Sequence, residues 1–93
     1  ACNFANHCYE ISSEILNNNG IPFDVMLPLI DETAKKVHEV KPKDAQTGPA
    51  IRYDENVISR QMQLLDGDSF NQKIYELMSK AIHSTAINKN SDL

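Results

Sequence analysis

Ala45-Gln46-Thr47-Gly48-Pro49-Ala50-Ile51-Arg52-Tyr53-Asp54 interrupts a chain whose remaining pattern is helical. No single helix can run through it. Pro49 lacks an N–H and disfavours the α conformation at Gly48, and Gly48 opens backbone angles closed to other residues. Around that bend stand a hydroxyl (Thr47), a guanidinium (Arg52), a phenol (Tyr53) and a carboxylate (Asp54). Directional polar groups on a special backbone read as a functional loop. The simpler reading is an interhelical turn that ends in a helix cap at Asp54.

Upstream of the loop, Phe4, Cys8, Ile11, Ile15 and Leu16 fall on one helical stripe. Asn17-Asn18-Asn19-Gly20 stops that helix, with Gly20 suited to a left-handed cap. Pro22 opens a second segment, where Phe23, Met26, Leu27, Ile30, Ala34 and Val37 keep the 3.6-residue period. Pro28 kinks or splits it, and Lys41-Pro42 ends it. Downstream, Asp54 caps a helix whose apolar side is Val57, Ile58, Met62, Leu64 and Leu65. Asp66-Gly67-Asp68 reads as a turn, and Ser69-Phe70-Asn71-Gln72 as a capping box. The helix that follows, about Phe70 to His83, is expected to bury Phe70, Ile74, Leu77, Met78, Ala81 and Ile82. Residues 88–93 are polar and expected to fray. No stretch alternates with period two. The pattern predicts an all-α bundle of four to five helices: one domain over residues 1–86, then a flexible tail over 87–93.

The 93 residues fit one small domain, whose core is marginal without association. A formal net charge of −4 with interspersed signs argues against nucleic-acid binding. No apolar run approaches the roughly 20 residues that span a bilayer, and no signal peptide is visible. Cys2 and Cys8 lie on different helical faces, so they read as small buried apolar residues in a reducing, cytoplasmic setting. Ala1-Cys2-Asn3-Phe4 is helical from its first residue and has no initiator Met. A fragment of a longer protein, with its leading helix truncated, is the expectation.

His7, His38 and His83 show no i, i+4 pairing and no Cys–His zinc spacing, so no metal site is expected. His38 and His83 read as cations near helix C-termini. Asn3, His7, Glu10 and Glu14 recur opposite the first apolar stripe, as a solvated face or as one wall of a cleft. His7 is the residue there suited to proton transfer. No nucleophile context, phosphate loop or dinucleotide fingerprint occurs, so no cofactor is expected to bind within this stretch alone.

In their order, Asn3-Phe4, Asn19-Gly20-Ile21-Pro22-Phe23, Leu27-Pro28-Leu29-Ile30 and Thr47-Gly48-Pro49-Ala50-Ile51-Arg52-Tyr53-Asp54 resemble one known family over roughly residues 1–80. It is the C-terminal helical domain of uncharacterised two-domain proteins with an N-terminal NAD(P)-binding Rossmann-like domain. The resemblance implies a fold like the C-terminal domains of 6-phosphogluconate dehydrogenase, ketopantoate reductase and pyrroline-5-carboxylate reductase. It implies a substrate-binding and dimerisation domain of an NAD(P)-dependent oxidoreductase, closing a cleft against its own Rossmann domain, which holds most of the NAD(P). Carried over by position, Asn3, Thr47, Gly48, Pro49, Arg52 and Asp54 would contact a small anionic substrate, with His7 one turn from Asn3 joining them. Where many members have Gly before the Asp, this chain has Tyr53, which argues against a tight turn there. A homodimer is expected. A non-catalytic helical self-association module is the alternative, and a nucleotide-sensing domain without turnover a third.

Overall fold

A computed structural model describes the backbone of residues 1–91 and the side chains of residues 1–88. These residues form five α-helices and one 3-10 turn, with no strand. The helices are α1 (Cys2–Asn18), α2 (Leu27–Glu39), α3 (Pro42–Ala45), α4 (Glu55–Leu64) and α5 (Ser69–Ser91). The all-α expectation is met. The chain divides into two compact units, Ala1–Ala45 and the residues from Gln46 onward.

The first unit follows its local sequence signals. Helix α1 ends in a Schellman motif: Gly20 sits at φ 70°, its N–H donates to the Asn17 carbonyl, and the Ile21 N–H donates to the Leu16 carbonyl. A 3-10 turn over Phe23–Met26 precedes α2. Pro28 stands in the first turn of α2, where its absent N–H costs nothing, so it splits the predicted segment instead of kinking it. The short α3 lies within the stretch expected to be loop; Pro42 starts it, and the Ala45 N–H closes its turn on the Lys41 carbonyl. Nothing within 4 Å would touch a Cβ at Gly20. Gly20→Ala should therefore cost only the left-handed backbone penalty, about 1 kcal/mol, read as a lower urea midpoint at unchanged slope.

In the second unit α4 packs against α5. Asp54 caps α4, its Oδ1 accepting from the Val57 N–H at 3.3 Å. Ile58 is the most buried large side chain, 5% exposed. The capping box at Ser69 is not formed. Asp68 caps α5 in its place: its Oδ1 accepts from the Asn71 N–H, and its carbonyl from the Gln72 N–H. Asp and Ser are both good caps, but only Asp brings a charge to the positive helix end. The Gln72 side chain instead donates across to the Met62 carbonyl at 2.9 Å.

The predicted inner face of α5 is the outer one. Phe70 is 81% exposed and Leu77 71%, and Ile74, Met78 and Ala81 are exposed too; of the six, Ile82 alone is half-buried. Toward α4 and the preceding loop, α5 turns Gln72, Tyr75, Ser79 and His83, spaced three and four apart. Their polar groups hold it there: Gln72 to Met62, the Tyr75 hydroxyl to Gln61 Oε1, His83 to Ile51. In the first unit Phe4 is 80% exposed, and Cys2 and Cys8 are exposed free thiols rather than buried apolar residues. Helix α5 also runs past His83 to Ser91, so the helical backbone enters the predicted tail, whose last two residues lie outside the described ones.

Candidate functional site

The Gly-Pro loop is built as a second Schellman motif, made without glycine. From Pro49 the chain takes one turn. The Tyr53 N–H returns to the Ala50 carbonyl at 3.1 Å and the Asp54 N–H to the Pro49 carbonyl at 2.9 Å. This is the bond pair that Gly20 and Ile21 make at the end of α1. Tyr53 occupies the left-handed position at φ 50°, the one non-glycine with positive φ among the described residues. The tight turn that Tyr53 was expected to disfavour is therefore present, at a conformational cost of about 1 kcal/mol. Gly48 takes φ 100°, open to glycine and strained for other residues.

The turn passes directly into α4, because Asp54 both closes the motif and caps the helix. Its carboxylate accepts from the Val57 N–H. Arg52 is exposed and forms no ion pair with any described residue. Its planar guanidinium fork is of a kind suited to a carboxylate or phosphate. Ala50, 7% exposed, pins the loop to its unit. Thr47 is exposed and Pro49 half-buried; besides the Pro49 carbonyl that closes the turn, the Thr47 carbonyl accepts from the Gln46 side-chain amide.

Two residues outside the predicted substrate contacts complete this corner. The Tyr53 and His83 rings lie 5.4 Å apart between centroids, tilted by 52°. His83 Nδ1 is 3.0 Å from the Ile51 carbonyl oxygen. His83 thus belongs to the interior of α5 and latches the loop; it does not sit at a helix C-terminus as predicted, whereas His38 does lie in the last turn of α2. No local signal reports this contact, which joins residues 32 positions apart. One turn earlier on α5, Lys80 pairs with Glu76 at 2.7 Å. Glu76 holds the lysine above its ordinary range, first by the hydrogen bond and then by charge, with a smaller push from Tyr53. That pairing is complete at neutral pH and is lost as pH rises through the raised lysine value.

Asn3 and His7 belong to the first unit, the other predicted contacts to the second. Both are exposed on α1, and His7 Nδ1 lies 3.4 Å from Glu10 Oε2, with both side chains more than half exposed. Among the described residues no three His, Cys, Asp or Glu side chains cluster to hold a metal, and no helix is long and apolar enough to cross a membrane. Nor does any strand stand among them from which a dinucleotide-binding turn could start.

Comparison with known proteins gives this arrangement a family. A solved structure from Bacteroides fragilis, named a putative NADP oxidoreductase, is 60% identical and superimposes with a TM-score of 0.88. The match covers 89% of this chain and 32% of that one, so the chain spans about a third of its relative's length. No protein of curated function matches. Residues 1–82 match the model of a domain of unknown function, DUF2520, and the chain belongs to that family.

Proposed function

We propose that this chain is the substrate-binding and self-associating helical part of an NAD(P)-dependent oxidoreductase, occupying residues 1–86 with a tail over 87–93. The observation that carries the reading is Arg52: an exposed guanidinium, without an ion pair among the described residues, on a hydrogen-bonded turn in a chain 60% identical to a protein named for NADP oxidoreduction. Arg52 holds a carboxylate or phosphate of a small anionic substrate. Thr47 offers a hydroxyl to the substrate's carbonyl or hydroxyl, while Gly48 and Pro49 fix the approach of the backbone. Asp54 acts through the cap that keeps Arg52 in place. Asn3 and His7 remain candidate contacts on α1. NAD(P), when bound, supplies the hydride chemistry and is held mainly by a Rossmann domain N-terminal to this chain. The setting is cytoplasmic.

The test is anion binding to the complete protein. With acetate, oxalate and inorganic phosphate as probes, Arg52→Ala should weaken the bound ones by about ten- to a hundredfold, the worth of a charge-assisted bidentate contact. Unchanged affinity for every probe that binds the parent removes Arg52 from the site. The non-catalytic alternative, a self-association module, has its own support in the outward apolar face of α5. It predicts self-association without any Arg52-dependent anion binding.

A further inference from the structure

Gly20 ends α1 at φ 70°, and the same glycine makes the residue before it chemically labile. Asn19 is the one asparagine in the chain followed by glycine. With no side chain on Gly20, nothing crowds its backbone nitrogen on the way to Asn19 Cγ. Both residues are exposed. The cap of α1 holds that reaction off. Asn19 Nδ2 donates to the Ile15 carbonyl at 2.7 Å. The Gly20 N–H donates to the Asn17 carbonyl at 3.1 Å, and the Ile21 N–H to the Leu16 carbonyl at 2.9 Å. Imide closure needs the Gly20 nitrogen on the Cβ side of the Asn19 Cα–C bond; at ψ 13° the two are turned well apart. Turning that bond swings the Gly20 N–H off Asn17 and carries Ile21 away from Leu16. Closure therefore requires the Schellman motif to open, and helix ends open locally at far less cost than the fold as a whole.

We propose that Asn19-Gly20 is a self-modification site whose rate is set by the opening of the α1 cap. In the open cap the Gly20 nitrogen bonds to Asn19 Cγ and the Cγ–Nδ2 bond breaks. The proton that Gly20 gives up leaves with Nδ2 as ammonia. Water then opens the cyclic imide. Attack at Cγ leaves an aspartate at position 19. Attack at the main-chain carbonyl leaves an isoaspartate, whose main chain runs on through Cβ and Cγ. Either product sets a carboxylate at the end of α1, where the helix dipole is negative and the last turn holds no basic residue. A carboxylate cannot donate to the Ile15 carbonyl as the amide does. In the isoaspartate the main chain is one carbon longer, so Gly20 and Ile21 do not regain their bonds in register. The modification makes the opening permanent, at the junction where α1 packs on the Phe23–Met26 turn. It does not involve Arg52.

The complete protein, aged in mildly alkaline buffer, is sampled by peptide mass mapping with fragmentation that separates aspartate from isoaspartate. In the folded protein Asn19 should convert ahead of Asn6, which lies inside α1, and mostly to isoaspartate. In unfolding urea Asn19 should convert about thirtyfold faster, the worth of the two backbone bonds that the open cap gives up. Ile21→Pro keeps the Asn-Gly pair and removes the N–H that donates to Leu16. It should speed conversion without urea about fivefold, one such bond's worth. Aged, folded protein should lose hydrogen-exchange protection at Gly20 and Ile21 in step with conversion. The urea comparison uses the parent alone and needs no variant to fold. Equal rates with and without urea, or an Ile21→Pro rate equal to the parent's, overturn the gating by the cap. An Asn19 that stays intact in the folded protein, or trails Asn6, overturns the site itself.

Discussion

Ile58→Ala will lower the stability of the second unit by about 3 kcal/mol, within the range for truncating a buried aliphatic side chain. Ile58 is 5% exposed, and Ala50 and Ser79, the other two buried among the described residues, are small. Among the described residues no other large side chain is buried; the rest are half-buried or exposed. The turn from Pro49 to Asp54 feeds into α4 less than one helical turn before Ile58, and the Ile58 N–H itself closes that first turn on the Asp54 carbonyl. Losing the α4 anchor should therefore also loosen the loop that carries Arg52. Urea unfolding followed by far-UV circular dichroism measures the first effect, and hydrogen exchange at Tyr53 and Asp54 the second. A cost under about 1 kcal/mol would mean that the unit is held by contacts other than its own small core.

The features legible in the sequence were those that a few neighbouring residues determine. Gly20 as a left-handed cap, Pro28 as a break and Asp54 as an N-cap each follow from backbone sterics or from one short hydrogen bond, and each stands in the structure. The misplaced cap of α5 lies one residue from the observed one, between two residue types that cap almost equally well. The left-handed Tyr53 was not legible, because local preference opposes it; the turn's two bonds and the His83 ring hold it. The orientation of α5 was not legible either. Its apolar stripe is plain in the sequence, but periodicity gives the direction of a face, not its partner. Gln72, Tyr75 and His83 reach polar partners on α4 and the loop, and those bonds win the inward side. For the candidate site, residue types and order were enough to single out Arg52 and its loop, while His83 is brought in only by tertiary structure.

Leu77→Asp will leave the helicity of the isolated chain unchanged and weaken its self-association by about a thousandfold. Leu77 is 71% exposed, so a carboxylate there meets water, not the unit's own packing. Within the unit the substitution should be nearly neutral, as exposed changes usually are. The expected loss comes from a second copy. Phe70, Ile74, Leu77 and Ala81 form one exposed stripe on α5, at spacings of four, three and four residues. A two-fold dimer that pairs this stripe with itself buries each of these residues twice. Burying one leucine is worth about 2 kcal/mol, and losing it on both copies costs about 4 kcal/mol, which is roughly a thousandfold in Kd. Phe70→Asp should act in the same direction, whereas Lys73→Asp, beside the stripe, should not. Sedimentation across a hundredfold concentration range reads the result. A parent that stays monomeric throughout, or a Leu77→Asp chain that associates as tightly as the parent, would take the α5 stripe out of self-association and leave it to cover a different part of the complete protein.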